Sequence, residues 1–244
     1  MSIRTAPATL TGTPHALRRW RIGGTILIIG PLLYWVIEAI GAMAWDNPRY
    51  SYVFNYISDL GVPNPGTFEG RPLDSELHLL VNIAGFALQG VLLLAATIML
   101  WRTVSAPVMR WFYLIISAFY AAGLILVASF HGSDAAVADG TAVWHGVGAL
   151  PTFVGANIIL ILIGIHLFRR RQQGFTSVGS RVVGALFATL GVVGISALIT
   201  LLSISGSSVD GLVERIVIYP FLAAQVIAGV GLLRATRHTS NSGV

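Results

Sequence analysis

The 244-residue chain contains no cysteine and no lysine. The first absence excludes disulfides, thiolate metal ligands and a cysteine nucleophile, and it leaves the redox compartment unread. The second makes arginine the carrier of all fifteen positive charges. Charge of either sign is scarce, at 10% of residues, against about 25% in a soluble domain. Apolar residues make up 55% of the chain. The net charge of +5 does not indicate nucleic acid. The arginines stand in short clusters beside apolar runs, a pattern of membrane anchoring and not of a DNA-binding stripe.

Six apolar runs are long enough to cross a hydrocarbon core about 30 Å thick, which takes roughly 20 helical residues. They lie near Ile22–Trp45, Leu77–Trp101, Trp111–Phe130, Val143–Phe168, Val182–Ser205 and Leu212–Leu233. Barrel strands would be about ten residues long and alternate apolar with polar, so these continuous runs predict helices. The expected fold is an all-α integral membrane protein, a six-transmembrane-helix bundle. Residues 1–17 read as a disordered cytoplasmic tail and residues 18–244 as one membrane domain. The start also resembles a signal peptide, with Arg18–Arg21, an apolar run and the small-residue site Ala42-Met43-Ala44. That run is too long for a signal-peptide core and Glu38 interrupts its end, so a retained helix is expected.

Orientation follows from the arginines. Arg4, Arg18, Arg19, Arg21, Arg102, Arg110, Arg169, Arg170, Arg171, Arg181, Arg234 and Arg237 fall on one side, and Arg49, Arg71 and Arg215 on the other. The first side is expected to be cytoplasmic, with both termini there and the plasma membrane as location. None of the ten acids lies on that side. The longest loop, Asp46–Glu76, is on the other, and a loop of that length is expected to be functional or partly structured.

The outer segments carry motifs. Asn55-Tyr56-Ile57-Ser58-Asp59-Leu60-Gly61 follows the first span and resembles the "SDLG" signature of the domain of unknown function 998 family. Ser129-Phe130-His131-Gly132-Ser133-Asp134, then His145-Gly146, is a second feature of that kind. Gly211-Leu212-Val213-Glu214-Arg215 looks like the family's "GL-x-ER" segment. The resemblance covers nearly the whole chain and implies six membrane helices, with no agreed activity. Family members often read "FP-x-D" where this chain has His131 and Gly132, so no role for His131 is carried over.

Ionisable groups inside spans are costly, and they tend to face the bundle interior. Glu38 shares a helix face with Tyr34, Ala42 and Trp45. It can bind a proton, a cation or an amine, or pair with Arg215 for packing. His78, Asn82, Gly85 and Gln89 form one polar, small stripe, suited to a water-filled cavity or a seam of interhelical hydrogen bonds. Tyr52, Asn55, Tyr56 and Asp59 have the spacing of a short helix ended by Gly61, which would cap the bundle and aim Asp59 at Arg215. The glycines of the fourth and fifth spans read as helix-packing surfaces. Pro220 is expected to kink the sixth.

His78, His131 and His145 map to the outer rim, where three histidines and a water can hold zinc. This set is similar to the intramembrane metal-hydrolase superfamily of alkaline ceramidases and adiponectin-receptor-like proteins. Those have seven helices and an H-x-x-x-H pair that is absent here. Haem is disfavoured, because His15, His166 and His238 form no readable pair with the outer histidines. The leading expectation is therefore an outward-facing polar pocket lined by Glu38, Asp59, His78, Asn82, His145 and Arg215, binding a small molecule or a lipid headgroup without chemistry. A zinc-dependent hydrolase of lipid or amide bonds and a scaffold subunit of a membrane complex remain open.

Overall fold

The computed structural model describes residues 13–63, 65–104, 106–169 and 177–237. Arg4, Arg170, Arg171, His238 and residues 1–12 of the expected tail lie outside them. Six helices are long and apolar enough to cross a membrane: α1 (Pro14–Met43), α2 (His78–Thr103), α3 (Pro107–Ser129), α4 (Ala142–Arg169), α5 (Ser177–Ser203) and α6 (Asp210–Arg237). Helix α1 begins inside the segment expected as a tail. Thr13 caps it, its hydroxyl accepting from Ala16 N at 3.3 Å, and Pro14 occupies the first turn, where no backbone N–H is needed.

Neighbours in sequence pack as neighbours in space, and α1 against α6 closes the ring, with α4 also touching α6. The side chains follow the logic of lipid as solvent. Large apolar groups such as Ile29, Phe119 and Ile199 are more than half exposed, whereas Gln89, Asn157 and Thr152 are buried. Small residues set the closest approaches. A Cβ on Gly148 of α4 would sit 2.5 Å from the Gly123 carbonyl of α3, and one on Gly184 of α5 would sit 2.7 Å from the Gly164 carbonyl of α4. Asn157 of α4 donates from Nδ2 to the Val217 carbonyl of α6 at 3.1 Å, in the turn before Pro220. Helix α2 contains a π-helical stretch, Val81–Ala87. It widens the helix where Asn82 donates to the Gly61 carbonyl at 2.8 Å. Of the expected polar stripe, Asn82, Gly85 and Gln89 are buried and His78 is only partly so.

The segment after α1 is not the short helix that its spacing suggested. Tyr52–Phe54 form a turn, and a 3₁₀ turn follows at Ser58–Gly61. Side chains take the amides that a helix would have used. Ser51 N donates to Asn55 Oδ1 at 3.0 Å, Tyr56 N to Asp59 Oδ2 at 3.0 Å and Ile57 N to Glu214 Oε2 at 2.5 Å. Such local bonds compete directly with helix ladders. A two-stranded antiparallel hairpin then forms from β1 (Gly66–Phe68) and β2 (Arg71–Leu73). Its turn places Glu69 and Gly70 at positive φ. These pieces cover the acidic end of the bundle as a roof.

Candidate functional site

A buried cation of α6 anchors the roof. Arg215 projects from the first turns of α6 and is 5% exposed. Its Nε and Nη2 donate to Glu38 Oε1 of α1 at 3.1 and 2.8 Å. Nη2 also donates to the Tyr50 hydroxyl at 2.5 Å, and Nη1 reaches the carbonyls of Tyr52, Asn55 and Gly211 at 2.8, 3.0 and 2.8 Å. The guanidinium lies over the Tyr52 ring, 4.7 Å from its centroid. The second oxygen of Glu38 accepts from the Tyr219 hydroxyl at 2.7 Å. Planar arginine, with five donors in a fixed fork, suits such a junction better than lysine. Tyr50 and Tyr219 were missed by the sequence reading. Tyr219 was findable, since it follows Arg215 by one helical turn.

Asp59 does not meet Arg215, contrary to expectation. It is buried and accepts from Asn55 Nδ2 at 3.3 Å and Tyr56 N at 3.0 Å. The cation acting on it is Arg71. Burial pushes the Asp59 carboxyl up from 3.8 to about 6, against the Arg71 charge and the two hydrogen bonds. Arg71 pairs with Glu69 at 2.7 Å and lies 4.9 Å from the ring centroids of both Phe54 and Tyr56. Glu69 in turn accepts from Ser205 at 2.8 Å, and Asp134 accepts from Glu69 N at 2.9 Å. The hairpin is thereby tied to the α5–α6 and α3–α4 connections. Asp210 receives the Tyr56 hydroxyl at 2.9 Å.

The six expected pocket residues thus separate. Glu38 and Arg215 form the ion pair, while Asp59 and Asn82 brace the Tyr50–Gly61 segment. His78 stands aside, its Nδ1 3.1 Å from the Ser75 carbonyl. His145 lines a cavity of about 30 Å³ with Tyr34, Ser58, Tyr120, Thr152 and Glu214. Glu214 is buried there, with Ile57 N as a donor, and it forms no ion pair among the described residues. Tyr120 is 1% exposed, with the Gln89 side chain as the neighbour of its hydroxyl.

The three rim histidines do not assemble a zinc site. Among the described residues no three His, Asp or Glu side chains are placed to hold a metal ion. His131 Nδ1 is 3.0 Å from Ser133 Oγ and His145 Nδ1 is 2.7 Å from the Phe130 carbonyl. Each ring is thus oriented by its own local partner. Burial holds His131 below the ordinary histidine range.

Comparison with known proteins adds one relation. Residues 28–231 match the model of a family described as "Protein of unknown function (DUF998)". No curated protein and no solved structure matches the chain.

Proposed function

The chain belongs to the DUF998 family, and from that premise we propose a multi-pass membrane protein, with both termini cytoplasmic in the plasma membrane, that binds a small monovalent cation in its outer polar site. The expected outward-facing pocket narrows accordingly. The Glu38–Arg215 pair is occupied by the protein's own roof, and the remaining space is too small for a lipid headgroup. About 30 Å³ beside Glu214 holds one or two water-sized particles.

The observation that carries this reading is Glu214, a buried carboxyl that borders a cavity and has no ion pair among the described residues. A buried charge without a partner is costly. Tyr34, Ser58, Tyr120 and Thr152 also border that space, and hydroxyls are hard oxygen ligands, which suit an alkali or ammonium ion. One carboxylate matches one positive charge.

The test is thermal unfolding of the purified protein in chloride salts of sodium, potassium, ammonium or N-methylglucamine at one ionic strength. The reading expects a saturable rise in Tm with one small cation, abolished in Glu214→Gln. Equal curves in all four salts, or a pH dependence with no cation dependence, would overturn it.

A further inference from the structure

Another internal space lies at the other end of the bundle. A cavity of about 310 Å³ is walled by all six helices, from Leu93 and Phe221 near mid-height to Trp101, Arg110 and His166 toward the arginine-rich end. That volume is within the range of ligand pockets. The wall is mostly aliphatic and aromatic. Two of its hydroxyls, Thr97 and Ser117, satisfy each other at 2.9 Å. From this cavity we infer that the protein holds a single-chain anionic amphiphile, with its acyl chain between the helices and its acidic head at Arg110 and His166.

Three observations argue for that occupant. Charge complementarity comes first. Arg19, Arg102 and Arg110 border this end, and every acid of the chain lies toward the opposite one. An anionic head here therefore meets cations and, among the described residues, no Asp or Glu side chain, at a depth where charge is weakly screened. Second, the ionisable groups of the lining, Arg110 and His166, stand toward one end while the rest of the wall is mostly apolar, which is the layout of an amphiphile and not of a polar solute. Third, the Gln225 side chain lines the cavity, is 6% exposed as a residue, and its Nε2 has no acceptor. A wall closed against empty space would leave that donor at a cost of roughly 1–3 kcal/mol. An oxygen on the occupant completes it. The site is separate from Glu214 and does not depend on the cation reading.

The experiment uses the full chain in phosphatidylcholine nanodiscs and the quenching of tryptophan fluorescence by brominated chains. Trp101, which lines the cavity, is the reporter. Dibromostearate is compared with dibromostearyl alcohol, which has the same chain without the charge, and with brominated phosphatidylglycerol, which has the charge and two chains. Saturable quenching is expected from the acid at about tenfold lower concentration than from the alcohol, and none that saturates from the phosphatidylglycerol. Arg110→Gln is expected to erase the preference for the acid. Ala228→Phe, which fills the cavity from α6, is expected to remove the saturable component altogether. The comparison of acid and alcohol on the unaltered chain needs no variant to fold. Equal quenching by the two, saturable quenching by phosphatidylglycerol, or full quenching in folded Ala228→Phe would overturn the inference.

Discussion

The two ends of the bundle treat charge in opposite ways. At the acidic end Arg215 is buried and its guanidinium is divided among Glu38, Tyr50 and three carbonyls. At the other end Arg102 makes no ion pair among the described residues. The first arrangement closes the structure, because a segment of irregular backbone is bound over the helix ends. The second leaves it open, with an apolar cavity below and cations at the rim. Non-helical backbone at membrane depth is tolerated only where protein satisfies it. The roof meets that condition with side chains: Asn82, Asn55, Asp59 and Glu214 each bind a backbone group of residues 51–61, and Ser75 binds the Leu60 carbonyl.

The largest effect that this contrast predicts is for Arg215→Ala. It strands Glu38 as an unpaired buried carboxylate, a loss of about 3–5 kcal/mol, read as a fall in Tm in detergent. Replacing both partners with Glu38→Leu and Arg215→Leu separates two causes. If stranded charge dominates, the double variant recovers much of the loss. If the Tyr50, Tyr52 and Asn55 contacts dominate, it recovers none. A single variant as stable as the unaltered protein would break the comparison, since the acidic end would then not depend on its central cation.

Asp59 gives a smaller, pH-dependent effect. Its carboxyl is held at about 6 in the folded chain against an ordinary 3.8, so the folded state binds the proton more tightly. The stability it contributes is fully present below about 3.8 and is lost as pH rises through about 6. The slope is at most about 1.4 kcal/mol per pH unit. Unfolding measured from pH 5 to 7 should show stability falling, and Asp59→Asn should flatten that part of the curve. An unchanged difference between the two proteins across the range would show that Asp59 is not the titrating group. Arg71 is the neighbour to vary next, since its charge opposes the upward shift.

How far these features were legible in sequence depends on the physical scale that sets them. The six spans were readable because bilayer thickness imposes length and composition on each helix separately. Glu38 was readable because a carboxylate in an apolar run must be compensated, and Arg215 was the nearest cation by depth. Asp59 was assigned the wrong cation because the spacing of Tyr52 to Asp59 was taken for helix. In fact Asn55, Asp59 and Glu214 capture the amides, and Glu214 is 157 residues from the amide it binds. Nothing in local periodicity reports such a partner. The hairpin escaped for a similar reason, since three-residue strands are too short to show alternation. The rim histidines share a depth, but each ring is oriented by its own local partner, and depth is all that span counting supplies. The large cavity had no signature at all. Its lining comes from six helices, and an empty volume is a property of how side chains fail to meet, which composition does not encode.

The smallest predicted effect is the most discriminating for the open end. Arg102→Gln removes a charge that makes no ion pair among the described residues, so the expected change in unfolding free energy is within about 0.5 kcal/mol. The argument runs through solvation. An arginine near the end of a membrane helix keeps its guanidinium hydrated and lays its aliphatic stem along apolar surface, and glutamine retains part of that stem. Arg215 has no such recourse, being enclosed by α1, α6 and the roof. The measured ratio of the two losses therefore reports how differently the ends are built. A Tm loss for Arg102→Gln comparable to that of Arg215→Ala would mean that the arginine-rich end is also knit by its charges, and the openness of the cavity above it would have to be reconsidered.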